Sequence, residues 1–299
     1  MRKQRKTGVV CTAMLAVALT ALAFASGASA KLVGEFTKMQ YCPWKNTEVK
    51  KCLHALTEGG TVTLGSKTVP IVNDVLLQGG FGAANKETKM SKFFAATEGK
   101  PTLQPVGQPV PGGLAGIVPS EKSSWLVKRL IAFFFENSLT GLNSKLELAG
   151  SASGIEISEI NMARKEKVAL KLPVKIRLEN PFLGSKCYVG SDSSPIFWNL
   201  ISGTTAPPAP NTPITGSPGV NTFIEEGLMS RLNGNKLVEN AWSAPSATGC
   251  GGLLAFLVNP IVNGAAGLPA AAGKNTAILE NTVHLATAAA VKFVDENNP

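Results

Sequence analysis

Side chains able to do acid–base or nucleophilic chemistry are scarce in this chain of 299 residues. It has two histidines, His54 and His284, and neither lies in a triad-like context. The segment GSASG at 150–154 carries Ala152 where a nucleophile elbow requires serine, and no S-x-x-K or H-E-x-x-H occurs. GGFGAAN has the outline of a dinucleotide loop but ends in Asn85 where the third glycine belongs. Carboxylates remain, with Glu156/Glu159 and Glu225/Glu226 as the closest sets. Glycoside hydrolysis needs two carboxylates at a set separation across the bond, which neighbouring positions do not supply. The expectation is therefore a non-catalytic protein, not an enzyme and without a cofactor, acting by surface or apolar-ligand contact. A carboxylate-dependent extracellular hydrolase is the alternative. Trp44, Trp125, Trp198 and Trp242 are too few for a sugar-binding surface and are expected to pack.

Cysteine spacing carries more information. YCPWKNTEVKKC, residues 41–52, sets Cys42 and Cys52 ten positions apart; a metal site there would have to recruit His54, lack a fourth ligand and lack the short spacing zinc prefers. No C-x-x-C redox motif exists. With Cys187 and Cys250 the count outside the first thirty residues is four, which in an oxidising compartment reads as two disulfides with three connectivities open. Local pairing, Cys42 with Cys52 and Cys187 with Cys250, is the natural choice.

The compartment is suggested by the N-terminus. Arg2, Lys3, Arg5 and Lys6 precede an uncharged, mostly apolar run from Gly8 to Ala25, and Ala28-Ser29-Ala30 forms an A-x-A boundary. This is the pattern of a signal peptide cut after Ala30, with Cys11 too early for lipid attachment and no membrane-spanning segment left after processing. Removing four of the 29 Lys and Arg leaves 25 against 20 Asp and Glu, about +5. That excess suits an anionic envelope polymer or lipid surface and is too small and scattered for nucleic acid.

The elements that must position any site are mainly β. TVTLGSKTVPIV reads as a hairpin turning at Gly65-Ser66, with Val62, Leu64, Val69 and Ile71 on one face and Pro70 on an edge. In VALKLPVKIRLEN every even position from Val168 to Leu178 is apolar, while Lys171, Lys175 and Arg177 form a cationic face. PSEKSSWLVKRLIAFFFENSL predicts an amphipathic helix with Trp125 and Phe134 as its aromatic contact residues. GGLLAFLVNPIVNGAAG predicts a shorter helix broken at Pro260. The expected fold is an antiparallel β-sandwich or barrel-like sheet with one or two packed amphipathic helices. It occupies 31–299 as a single secreted domain, or carries an N-terminal subdomain over 31–100 set off by the Pro/Gly-rich stretch 99–119.

YCPWKNTEVKKCLHALTEGGTVTLGSKTVPI with its trailing LLQGG, and LENPFLGSKCYVGSDSSPI with SATGCGG, together resemble uncharacterised exported proteins of high-GC Gram-positive bacteria. The resemblance implies export to the envelope or medium and the cysteine framework; it implies no activity, ligand or metal.

Overall fold

The computed structural model describes residues 32–113 and 141–298, together with Trp125, Lys128 and Arg129. Eight strands taken in chain order form its wall: β1 (Lys51–Leu64), β2 (Val75–Ala84), β3 (Ser91–Phe94), β4 (Glu156–Ile157), β5 (Leu170–Glu179), β6 (Ile196–Leu200), β7 (Met229–Glu239) and β8 (Thr276–Thr287). Each pairs antiparallel with the next from β1 to β6. β7 pairs with β8, and β8 returns to β1. One seam remains, between β6 and β7. There Ile201 donates to the Val238 carbonyl at 3.0 Å and accepts from the Val238 N–H at 2.9 Å. The hydrogen-bonded path thus closes on itself, so the mainly β architecture takes a barrel-like, up-and-down form. At eight strands the interior of such a wall is either filled by side chains or wide enough for one small ligand. Shorter strands thicken the wall: Asn143–Leu148 pairs with β5, Gly107–Pro109 with Asn143–Leu148, and Val220–Ile224 with β7.

Alternation decides which residues face inward. On β5, Leu170, Leu172, Val174, Ile176 and Leu178 are all buried, as their spacing predicts. On β1 the inward set begins with Leu53, Ala55 and Thr57 and resumes with Val62 and Leu64. The change from odd to even is made by a bulge between Thr57 and Gly59, where the register against β8 slips. Without it the hairpin face would point out of the barrel. The hairpin itself forms as predicted: Leu64 pairs with Lys67 across Gly65 and Ser66, and Gly65 has φ +58°, as the first turn position requires.

Among the elements described in full, the α-helices α1 (Glu159–Arg164), α2 (Ala255–Ala266) and α3 (Ala288–Asn297) close the edges. α1 is capped by Ser158, whose hydroxyl accepts from the Asn161 N–H at 3.1 Å. α2 runs unbroken through Pro260, contrary to the expected break. The carbonyl that Pro260 leaves without a donor belongs to the solvent-exposed Phe256, where water can satisfy it. Two asparagines hold the helix on either side of Pro260: Asn259 accepts from the Cys250 N–H at 2.9 Å, and Asn263 both accepts from and donates to Ala247. α3 was not predicted. It packs with the 3₁₀ turn Gly34–Met39 on the outside of β1 and β8, where Phe36, Met39, Val291 and the Cys42–Cys52 bridge form a second core. Trp44, inside that bridged loop, packs against the same core. Of the helix predicted over 119–139, Trp125, Lys128 and Arg129 are helical and exposed; Phe134 lies outside the described residues, as does Ala30.

Candidate functional site

The barrel interior is not completely filled. A cavity of about 120 Å³ lies between the inner faces of β1, β5, β7 and β8, walled by residues such as Leu53, Ala55, Leu172, Leu279 and Val283. Its size is close to that of the roughly 150 Å³ engineered apolar cavities that stay dry and take up benzene. Lys67, Gln108 and Ser144 also line it, and a polar cluster interrupts the wall between β1, β7 and β8. Thr57 Oγ1 donates to Asn281 Oδ1 at 2.6 Å, and Asn281 Nδ2 donates to Asn235 Oδ1 at 3.3 Å. These three residues sit on adjacent strands beside the β1 bulge and a second register slip in β7 between Leu232 and Asn235. Asn281 also donates to the Leu279 carbonyl and Asn235 to the Ser217 carbonyl, so the donors of the cluster are bound to protein. Lone pairs on Thr57 Oγ1 and Asn281 Oδ1 remain for a ligand that donates a hydrogen bond.

At one end of the barrel Met162 of α1 forms part of the cavity wall. The same side chain lines an outer cleft of about 520 Å³, bounded by Phe223, Leu228, Leu232 and Leu285 with the Lys51–Glu159 ion pair among its residues. Met162 thus stands between the two hollows. An unbranched thioether is well suited to such a place because it repacks easily. At the other end the Gly65–Ser66 turn, Lys67 and Ala266 of α2 adjoin the cavity.

The residues singled out from sequence are distributed differently. Lys171, Lys175 and Arg177 do share the outward face of β5, half-buried and facing carboxylates: Glu156 at 4.0 Å, Asp192 at 2.7 Å, and Glu147 and Glu179 at 3.9 and 3.5 Å. The Lys175 bond holds the Asp192 carboxyl below its ordinary range. Both disulfides form with the local pairing, Cys42–Cys52 and Cys187–Cys250. Glu156 and Glu159 lie with lysines, and Glu225 accepts the Glu35 N–H at 2.6 Å. Among the described residues no group of three His, Cys, Asp or Glu could hold a metal ion, and no helix is long and apolar enough to cross a membrane.

Sequence reasoning missed the histidine pair. His54 and His284 are directly opposed on β1 and β8, with ring centroids 5.9 Å apart, on the outer face. Arg231 and Gln78 continue the row on either side. Burial, then the nearby His284 and Lys38, push His54 down to about 4. His284 is also lowered, by burial and Lys38, although Glu35 at 3.4 Å opposes this. Both rings are therefore neutral at pH 7, and neither Nδ1 has a hydrogen-bond partner. No protein-family model, curated protein or solved structure matches this chain.

Proposed function

We propose that this chain is an exported, non-catalytic binding protein whose barrel interior takes a small apolar molecule or the end of a hydrocarbon chain. The observation that carries the reading is the pair of hollows that share Met162, one apolar and inside the barrel, one outside it and edged by the Lys51–Glu159 pair. A chain entering past Met162 would gain about 0.8 kcal/mol per buried CH₂. A hydroxyl along it would find acceptors at Thr57 and Asn281. Two disulfides fit an oxidising compartment, and the leader-like first thirty residues support export. The carboxylates of Glu156, Glu159 and Glu225 face lysines or a backbone N–H, an arrangement that favours contact over hydrolysis.

The test is titration with straight-chain alcohols from butanol to decanol, followed by methyl NMR shifts. Saturable shifts of the Leu172, Leu279 and Val283 methyls are expected, with affinity rising with chain length. Ala55→Phe, which fills the cavity, should weaken binding at least tenfold. Equal binding by both proteins, or no shift at any lining methyl, would contradict the reading.

A further inference from the structure

The stretch from Asn240 to Gly273 contains no charged residue. Most of it is tied into the fold, but the start of α2 is not covered. Leu253 is 99% exposed and Phe256 72%, with Leu254 and Leu257 exposed beside them. These side chains do not belong to a loosely held helix. Cys250, three residues before Leu253, is bridged to Cys187; Asn259 and Asn263 bind the helix to Cys250 and Ala247; and Val258 and Val262 are buried beneath it. Gly251, at φ +82°, packs so tightly on Val258 that a side chain there would meet it at 2.5 Å. The fold therefore presents four large apolar side chains to solvent on a fixed support, a feature that marks an interaction surface.

Charge around the patch narrows the partner. The exposed Lys186 adjoins its start, because Gly249 packs directly on the Lys186 carbonyl. The exposed Lys274 stands by the other end of α2, next to Asn275, whose side chain accepts the Gly65 N–H, while Ser66 of the same turn donates to the Ala266 carbonyl. An apolar face on a helix with an exposed lysine near either end complements an anionic bilayer, where leucine and phenylalanine enter the acyl boundary and lysines meet headgroup phosphates. A second copy of the chain fits less well. Four such side chains offer several hundred Å², below the ~800 Å² per partner of a standard protein interface.

We propose that the apolar face formed by Leu253 and Leu254 of the 3₁₀ turn Gly252–Leu254 and by Phe256 and Leu257 of α2 docks on an anionic lipid surface with Lys186 and Lys274 on the headgroups. The inference concerns the outside of the molecule and does not depend on occupancy of the cavity.

Sedimentation of the full secreted chain with vesicles of mixed phosphatidylglycerol and phosphatidylcholine tests it. The native protein is expected to bind these vesicles and to bind pure phosphatidylcholine vesicles more weakly. Combining Leu253→Asp with Phe256→Asp should lower partitioning at least tenfold while leaving the circular dichroism spectrum unchanged, since both side chains are in water. Lys186→Glu with Lys274→Glu should lower it several-fold and weaken its salt dependence. Ala55→Phe should partition like the native protein, which separates failure of docking from failure of the cavity reading. No binding to anionic vesicles, or unchanged partitioning of the aspartate variant, would overturn the proposal. So would a dimer in analytical ultracentrifugation that the aspartate variant abolishes.

Discussion

His54 and His284 show how far a residue's role depends on a neighbour that sequence distance conceals. Each alone looks like an ordinary surface or half-buried histidine; only the β1–β8 pairing opposes them. Because burial lowers both pKa values, aided by His284 and Lys38 at His54 and by Lys38 at His284, the unfolded chain binds protons that the folded one refuses. Stability should be complete above about pH 6.5, the ordinary histidine value, and should fall as pH drops toward the His54 value of about 4. Lys38 and Arg231 oppose protonation of His284, while Glu35 and Glu58 favour it and reduce the effect. A loss on the order of 1–3 kcal/mol across that window is expected, at 1.36 kcal/mol per pKa unit. Urea unfolding at stepped pH measures it, and His54→Gln should remove much of the slope. A flat profile from pH 6.5 to 4.5 would show that the pair is not held neutral by the fold. Below that, Glu35 adds a loss of its own, because its carboxyl is lowered chiefly by the Lys38 bond.

At the scale of elements, legibility followed local chemistry. The Gly65–Ser66 hairpin and the alternating strand β5 were readable because turn type and inward face are set by adjacent residues. The β1 bulge was not, since nothing in LTEGGTV marks where pairing with β8 slips. α2 was misjudged at Pro260 because its support comes from Ala247 and Cys250, outside the helix. α3 was missed because AAAVKFVDEN is short, and the core it covers is assembled from the other end of the chain. The disulfides were legible by count and spacing, and their separations of 10 and 63 residues rank them. Chain entropy assigns about 3 kcal/mol to the shorter loop and about 4 kcal/mol to the longer. Cys187→Ser with Cys250→Ser should therefore lower the melting temperature further than Cys42→Ser with Cys52→Ser. The longer bridge also anchors α2 beside Cys250. Equal or reversed shifts in paired thermal melts would contradict this ranking.

For the whole molecule, the decisive feature is closure. Antiparallel texture was evident in the sequence, yet sandwich and barrel remained equally open, because the choice rests on one reciprocal bridge between Ile201 and Val238 and on β1 meeting β8. Closure creates the interior, and the interior contains features that sequence motifs could not supply: an apolar cavity, a polar cluster at two bulges, and a methionine between cavity and cleft. Catalytic groups are scarce in the sequence, while the fold encloses space. The proposed binding role rests on that contrast, with α2 turned outward at the opposite end from Met162. The most direct measurement is native mass spectrometry of the protein purified from its own host without detergent or organic solvent, beside the Ala55→Phe variant prepared in the same way. A discrete apolar adduct on the native chain that is absent from Ala55→Phe is the expected result. A bare polypeptide mass for both, with no adduct recovered after incubation with host lipid extract, would contradict the proposal that the barrel interior is a ligand site.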